Sequence, residues 1–188
     1  MADINQKIAR AAADMGTAAT PAYGAHESVR SVDPALLEIV ELLFFAYRDF
    51  TCEPDVILDK FGFGRAHHRV LHFVYRHPGL RVADLLDILK ITKQSLGRVL
   101  KQLVDEGYIA QEEGQIDRRE RLLYPTPRGK ELADRLAGPQ LDRIALALEK
   151  AGNGAEETVR EFLQGMISEQ DRQAVAELIS TVDTNANE

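Results

Sequence analysis

Tryptophan is absent from this 188-residue chain, and cysteine occurs once, at Cys52. A lone thiol excludes an internal disulfide framework and suits a reducing compartment. No apolar run approaches the roughly 18 residues of a membrane span, and the N-terminus has no signal-peptide core. The expectation is a cytoplasmic protein with no membrane partner. Also missing are the groupings on which catalysis is built: a nucleophile beside a base, paired carboxylates, a glycine-rich phosphate loop. The chain therefore does not read as an enzyme, and no cofactor is expected. Positive charge is short as well, with 23 Lys and Arg against 30 Asp and Glu, a net of −7. Taken whole, that argues against a polyanionic partner, but the distribution argues for one. Residues 64–128 hold 12 basic and 8 acidic residues (net +4), and the remainder holds 11 and 22 (net −11). A basic middle between acidic flanks is the pattern of a nucleic-acid-binding lobe on a non-binding scaffold.

What is present is concentrated in ITKQSLGRVLKQLVDEG, residues 91–107. Thr92 suits an N-cap, its hydroxyl accepting from an unpaired first-turn amide. Leu96, Val99, Leu100, Leu103 and Val104 recur at helical spacing as one apolar face. Gly107 follows the last turn, where a left-handed residue closes a helix without steric cost. On the other face Lys93, Gly97 and Lys101 fall four apart, with Gln94 and Arg98 alongside and no carboxylate before Asp105. Glycine inside a helix costs about 1 kcal/mol relative to alanine, and close approach of a nucleic-acid backbone is a reason to find it at Gly97. Upstream, residues 82–90 predict a short helix with Val82, Leu85, Leu86 and Leu89 apolar, separated from the next helix by Ile91-Thr92. Helices joined by so short a turn form a helix-turn-helix, whose second member can enter a DNA major groove. Arg and Lys donate to guanine edges and Gln pairs with adenine, so the exposed face has suitable chemistry.

Two short strands are predicted next, over 108–113 and 121–124, around a polar tip carrying Asp117, Arg118 and Arg119. A hairpin directly after a helix-turn-helix is a wing, and arginines at its tip suit the enhanced negative potential of a narrow minor groove. Asp117, an anion, is expected to orient a neighbouring arginine by a charge-assisted hydrogen bond.

The flanks have a different character. Residues 1–32, small and breaker-rich, read as a mobile N-terminal arm. Asp33-Pro34 opens a helix on which Leu36, Leu37, Ile39, Val40, Leu42, Leu43, Phe44, Phe45 and Tyr47 cover more than half the circumference. A partner subunit is the natural cover for such a helix. Pro54 is expected to bend or restart it, so 33–63 reads as dimerisation helix and linker. The helix predicted over 65–77 has Ala66, Val70, Phe73, Val74 and His77 on one side and Arg65, Arg69, His72 and Arg76 as a polar stripe. His68 and His72, four apart, have metal-ligand spacing, but no Cys, Asp or Glu joins them in that helix, and no metal site is assigned. Residues 127–184 predict further helices, interrupted at Gly138-Pro139, with apolar faces and no basic one. They read as C-terminal dimerisation helices, which leaves 64–126 as the DNA-binding lobe. The fold class is mainly α with a small β-wing: a winged helix-turn-helix lobe plus N- and C-terminal dimerisation helices.

This order resembles the multiple-antibiotic-resistance regulator (MarR) family of winged helix-turn-helix proteins over about residues 33–136. ITKQSLGRVLKQLVDEGYI and DRRERLLYPTPRG carry the likeness, with Asp117, Arg118, Arg119, Thr126 and Gly129 fitting the family's wing and Pro125 standing where Leu is usual. FFAYRDF and GFGRAHHRVLHF resemble its PetP/LdtR-type subgroup. The resemblance implies a homodimer on a palindromic double-stranded DNA operator, with a small-molecule effector bound where dimer helices meet the DNA-binding lobe. It implies major-groove contacts from Thr92, Lys93, Gln94, Ser95, Gly97, Arg98 and Lys101. Arg118, Arg119 and Arg121 would serve the wing, Arg119 in the minor groove, and Arg65 and Arg69 would contact phosphates. Position and polarity nominate Phe45, Arg48, Thr51, Cys52, His67 and His68 for the effector. Some members sense peroxides through a cysteine near the start of the first dimer helix. Cys52 lies toward the end of that segment and Val40 nearer the sensing position, so Cys52 reads as a buried or incidental thiol. The competing reading is a winged-helix module that binds protein rather than DNA, kept open by the acidic flanks.

Overall fold

The computed structural model describes residues 33–185, and the arm expected over 1–32 lies outside them. The elements run α1 (Pro34–Asp59), α2 (Arg65–Arg76), β1 (Leu80–Arg81), α3 (Val82–Leu89), α4 (Lys93–Asp105), β2 (Ile109–Glu113), β3 (Arg121–Pro125), α5 (Pro127–Ala151), α6 (Ala155–Met166) and α7 (Glu169–Asn185). The fold is mainly helical with one small antiparallel sheet, and its winged helix-turn-helix sits between long N- and C-terminal helices.

Helix α1 starts where Asp33-Pro34 predicts, the Asp33 carboxylate accepting from the Ala35 N–H at 2.9 Å. It does not break at Pro54, which lies buried inside one continuous helix. Proline deprives the carbonyl four residues earlier of its donor. Here that carbonyl, on Phe50, accepts instead from Gln140 Nε2 of α5 at 3.3 Å. The helix restart expected as one outcome at Pro54 does not occur, and a tertiary hydrogen bond meets the need of the freed carbonyl. Helix α5 likewise runs unbroken through Pro139, against the interruption expected there.

The core lies within the lobe. Val70, Leu71 and Val74 of α2 meet Leu85 and Leu89 of α3, Leu96, Leu100 and Leu103 of α4, and Ile109 and Leu123 of the sheet. Leu58 at the end of α1 and Leu132 and Leu136 near the start of α5 belong to the same cluster, so each long helix is anchored in the lobe at one end. On α2, Leu71 completes the buried face. Ala66, expected there, is exposed because it sits in the first turn, beyond the reach of the packing centred on Val70 and Val74.

Strand β3 is the middle of the sheet, pairing Leu123 with Leu80 of β1 and running antiparallel to β2 from Ile109↔Pro125 to Glu113↔Arg121. The two-residue β1 escapes a reading of the sequence because its one signature is the partner strand. Thr126 caps α5, its Oγ1 accepting from the Gly129 N–H at 3.0 Å and donating to the Gly107 carbonyl at 2.7 Å. A Cβ on Gly129 would collide with the Tyr108 carbonyl oxygen. Helix α5 therefore docks on the root of the wing only with glycine there.

Candidate nucleic-acid interface

Local chemistry fixes where α4 begins and ends. Lys90 closes α3 in the left-handed conformation (φ 52°). Two residues later Thr92 Oγ1 accepts from the Ser95 N–H at 3.2 Å while its hydroxyl donates to Ser95 Oγ at 2.9 Å. Gly107 (φ 74°) turns the chain out of the helix, as its place in the sequence predicts. Because Leu96, Leu100 and Leu103 face the core, Lys93, Gln94, Gly97, Arg98 and Lys101 face solvent. The side chains of Lys93, Gln94 and Arg98 have no partner among the described residues. A Cβ on Gly97 would stand in open space, so packing among the described residues does not call for glycine there. Lys101 pairs with Asp105 one turn on, an exposed pair that water and salt screen. Ser95, half-buried, is occupied by the cap.

The wing tip is organised by Asp117 in a way the sequence did not announce. Its carboxylate accepts from the backbone N–H of Arg119 at 2.8 Å, and its carbonyl accepts from the Glu120 N–H at 3.0 Å. Asp117 thus holds Arg119 through its backbone amide, shaping the turn and leaving the guanidinium free; a short acid sits closer to a following amide than to the end of a long side chain. The side chains of Arg118 and Arg119 are exposed and unpaired among the described residues. Arg121 is spent on bracing: it donates to the Arg118 carbonyl at 2.6 Å and pairs with Glu113 at 3.4 Å. A further brace that sequence reasoning missed is Arg81, bonded to Asp84 at 2.6 Å and to Glu120 at 3.2 Å. These two acids hold its pKa well above the ordinary arginine value, the Asp84 hydrogen bond most of all. The C-terminal region also reaches the lobe, where Asp171 of α7 pairs with Lys90 at 3.1 Å.

Arg65 and Arg69 do not stand on the α4 surface. They open onto a cleft of about 430 Å³ between α1, α2 and α5. Arg65 is held over the ring of Tyr47 by Asp55, whose Oδ2 accepts from Nη2 at 2.7 Å and from Nε at 2.9 Å. Arg69 makes one long bond, to the Leu89 carbonyl at 3.4 Å. Phe50 and Phe73 give the cleft apolar wall, and His68, His72 and Gln140 add polar edges. Burial pushes both histidines below the usual imidazole range; Asp55 opposes this at His68, while at His72 the neighbouring His68, Arg76 and His77 reinforce it. Among the described residues no cluster of three or more His, Cys, Asp or Glu is arranged to hold a metal ion.

Of the residues nominated for an effector, Thr51 and His68 line this cleft and four do not. Phe45, Arg48 and Cys52 are exposed on α1, Arg48 bonded to Asp49 at 2.7 Å and stacked over Phe45. Of the two readings of Cys52, buried or incidental, the first is excluded: the thiol is exposed. His67 turns away from the cleft toward α4, its Nε2 lying 2.9 Å from Gln102 Oε1. Asp55, Phe50 and Gln140 went unnoticed because a cleft assembled from distant segments leaves no local pattern.

A further feature is apolar surface left open. Leu36, Leu37, Leu42, Phe44 and Tyr47 of α1, Leu141 and Leu146 of α5, and Leu163 and Met166 of α6 are each more than half exposed. No helix among the described residues is long and apolar enough to cross a membrane.

Comparison with known proteins agrees with this geometry. Residues 61–120 match the pattern of the MarR family. The HTH-type transcriptional regulator PetP of Rhodobacter capsulatus is 43% identical over 148 residues, covering 79% of this chain and 89% of that protein. Among solved structures, the MarR protein of Peptoclostridium difficile superimposes with a TM-score of 0.59 over 84% of this chain and 99% of its own, at 18% identity. A mutant of MepR from S. aureus gives 0.60 over 68% and 94%, also at 18%. At that identity the structures speak for the fold alone.

Proposed function

The chain belongs to the MarR family of winged helix-turn-helix transcriptional regulators, and from that premise we propose that it acts as a homodimer on a palindromic double-stranded DNA operator under the control of a small ligand. One observation carries the proposal: α4 presents Lys93, Gln94 and Arg98 to solvent, unpaired among the described residues, around the open notch at Gly97. Such a face can bring bidentate donors to guanine and adenine edges while the glycine lets a backbone approach. Arg118 and Arg119 at the wing tip suit a minor groove beside it. Thr92, Ser95 and Lys101 would serve phosphates at the ends of the same helix, and Arg121 would set the wing's shape. Arg65 and Arg69, by their place in the cleft, would serve the effector site better than the phosphates.

The homodimer reading is supported by the open apolar surface of α1 and α6. Burying a large aliphatic or aromatic side chain stabilises by roughly 1.5–3 kcal/mol, and Leu36, Phe44 and Tyr47 at 58–71% exposure have that stabilisation still to gain. A second copy presenting the same helices is a self-complementary cover. The ligand reading is supported by the cleft, which mixes aromatic wall with a few polar groups and abuts both the long helices and the lobe.

Capture of genomic DNA fragments by the protein, followed by sequencing and a mobility-shift titration, tests the DNA reading. A recurrent palindrome bound in preference to a scrambled duplex is the expected result. Uniform recovery of fragments, with no preference at any salt concentration, would overturn it.

A further inference from the structure

Helix α2 has two working faces. His68, Arg69 and His72 line the cleft, while His67, the next residue round, meets α4. The Gly64 N–H can only donate, and it does so to His67 Nδ1 at 3.1 Å. Nδ1 therefore carries the lone pair and the ring proton sits on Nε2, directed at Gln102 Oε1 2.9 Å away. With its oxygen engaged, Gln102 turns its amide nitrogen to Glu106 Oε1 at 2.9 Å. The Glu106 carbonyl in turn accepts from Arg128 Nη1 of α5 at 2.7 Å. The His67 plane is set by Phe63, whose ring lies 4.8 Å from it and within 10° of parallel. A relay of directional bonds thus joins the start of α2, the end of α4 and the start of α5.

Elsewhere α2 and α4 share apolar packing, Val70, Leu71 and Val74 belonging to one cluster with Leu96, Leu100 and Leu103. Packing of that kind fixes how close two helices lie, whereas a hydrogen bond weakens steeply with misalignment and so fixes rotation. Gln102 follows Arg98 by four residues and Gln94 by eight, which puts the relay at the foot of the stripe that faces DNA in the reading above.

We propose that His67 and Gln102 are positioning residues of the recognition helix, holding it at the rotation where Gln94 and Arg98 meet base edges and tying that rotation to the wall of the cleft. The proposal rests on the DNA-binding reading, and neither residue touches DNA in it. Gln102→Met keeps length and removes both side-chain bonds. His67→Asn puts an acceptor near the Nδ1 position, keeping the Gly64 bond and giving up Gln102. His67→Gln puts an amide near the Nε2 position and keeps the Gln102 bond.

Mobility-shift titrations of the full chain on its operator and on a scrambled duplex, with thermal melts alongside, test the assignment. Gln102→Met and His67→Asn should each lower the preference for operator about tenfold, with scrambled-duplex affinity and melting midpoint unchanged. The double variant should lose no more than Gln102→Met alone, because the bond that His67→Asn severs is already gone in it, and His67→Gln should stay near the parent. Three results would overturn the proposal: preferences within about twofold of the parent, additive losses in the double variant, or parallel losses on both duplexes with a lowered melting midpoint. A parent that shows no operator preference would instead overturn the DNA reading, a result distinct from a discriminating parent with indifferent variants.

Discussion

The outward faces of α4 and α1 are both left uncovered by the other described residues, the first with Lys93, Gln94 and Arg98, the second with Leu36, Leu37, Phe44 and Tyr47. In water the cations on α4 lose little by waiting, because solvent stabilises them until a polyanion displaces its counterions. The apolar face of α1 loses stabilisation for as long as it is wet. The two faces therefore call for different partners and different tests: the α1 face should be satisfied at all times by another copy of the chain, the α4 face only when DNA is bound. The acidic flanks fit the same division, since net negative charge outside the lobe disfavours binding in any other orientation.

The largest effect is expected at the apolar face. Phe44→Asp should convert the dimer to monomer in sedimentation equilibrium and abolish operator binding at protein concentrations that saturate the parent, a cost of several kcal/mol of the kind seen at interface centres. A dimeric, DNA-binding Phe44→Asp variant would show that the α1 face is not where a second copy sits. Next comes Arg98→Ala, which should weaken specific operator binding by about 1–3 kcal/mol while leaving the dimer intact; unchanged operator affinity would remove Arg98 from the reading face. Smaller again is Arg119→Ala, expected to lower the slope of log affinity against log salt by about one unit. An identical slope would leave the wing without a backbone contact.

The smallest effect concerns pH. Burial holds His68, His72 and His77 below the ordinary imidazole range in the fold, whereas in the unfolded chain they protonate near about pH 6.5. Below that pH the unfolded state binds more protons, so stability is fully present above it and declines as pH falls toward the depressed native values. The melting midpoint should drop between about pH 7 and about pH 5.5, and His72→Gln should lessen that drop. An unaltered drop in the variant would take His72 out of the effect.

The recognition helix and wing were legible because their signals are local: Thr92 and Gly107 bound α4, Leu96 to Leu103 set its inner face, and Arg118-Arg119 follow at hairpin distance. What escaped depended on partners far along the chain. Pro54 reads as a break until Gln140 supplies the donor that the Phe50 carbonyl lacks. Leu80 and Arg81 become a strand only beside Leu123 and Leu122. The cleft draws Asp55, Arg65 and Gln140 from three separate segments, so nominations made along α1 found Thr51 and missed Asp55. His67, nominated for the effector on position and polarity, belongs by geometry to α4, and only the neighbouring Gly64 amide and Gln102 reveal that.

Two copies should present their α4 faces to one duplex. Footprinting of the parent on its operator, with the stoichiometry of the complex measured in the same samples, tests it most directly. Two protomers per operator, protecting half-sites about 10 base pairs apart and losing that protection in Arg98→Ala, is the result expected. A single protomer per site, or protection that survives loss of Arg98 unchanged, would contradict it.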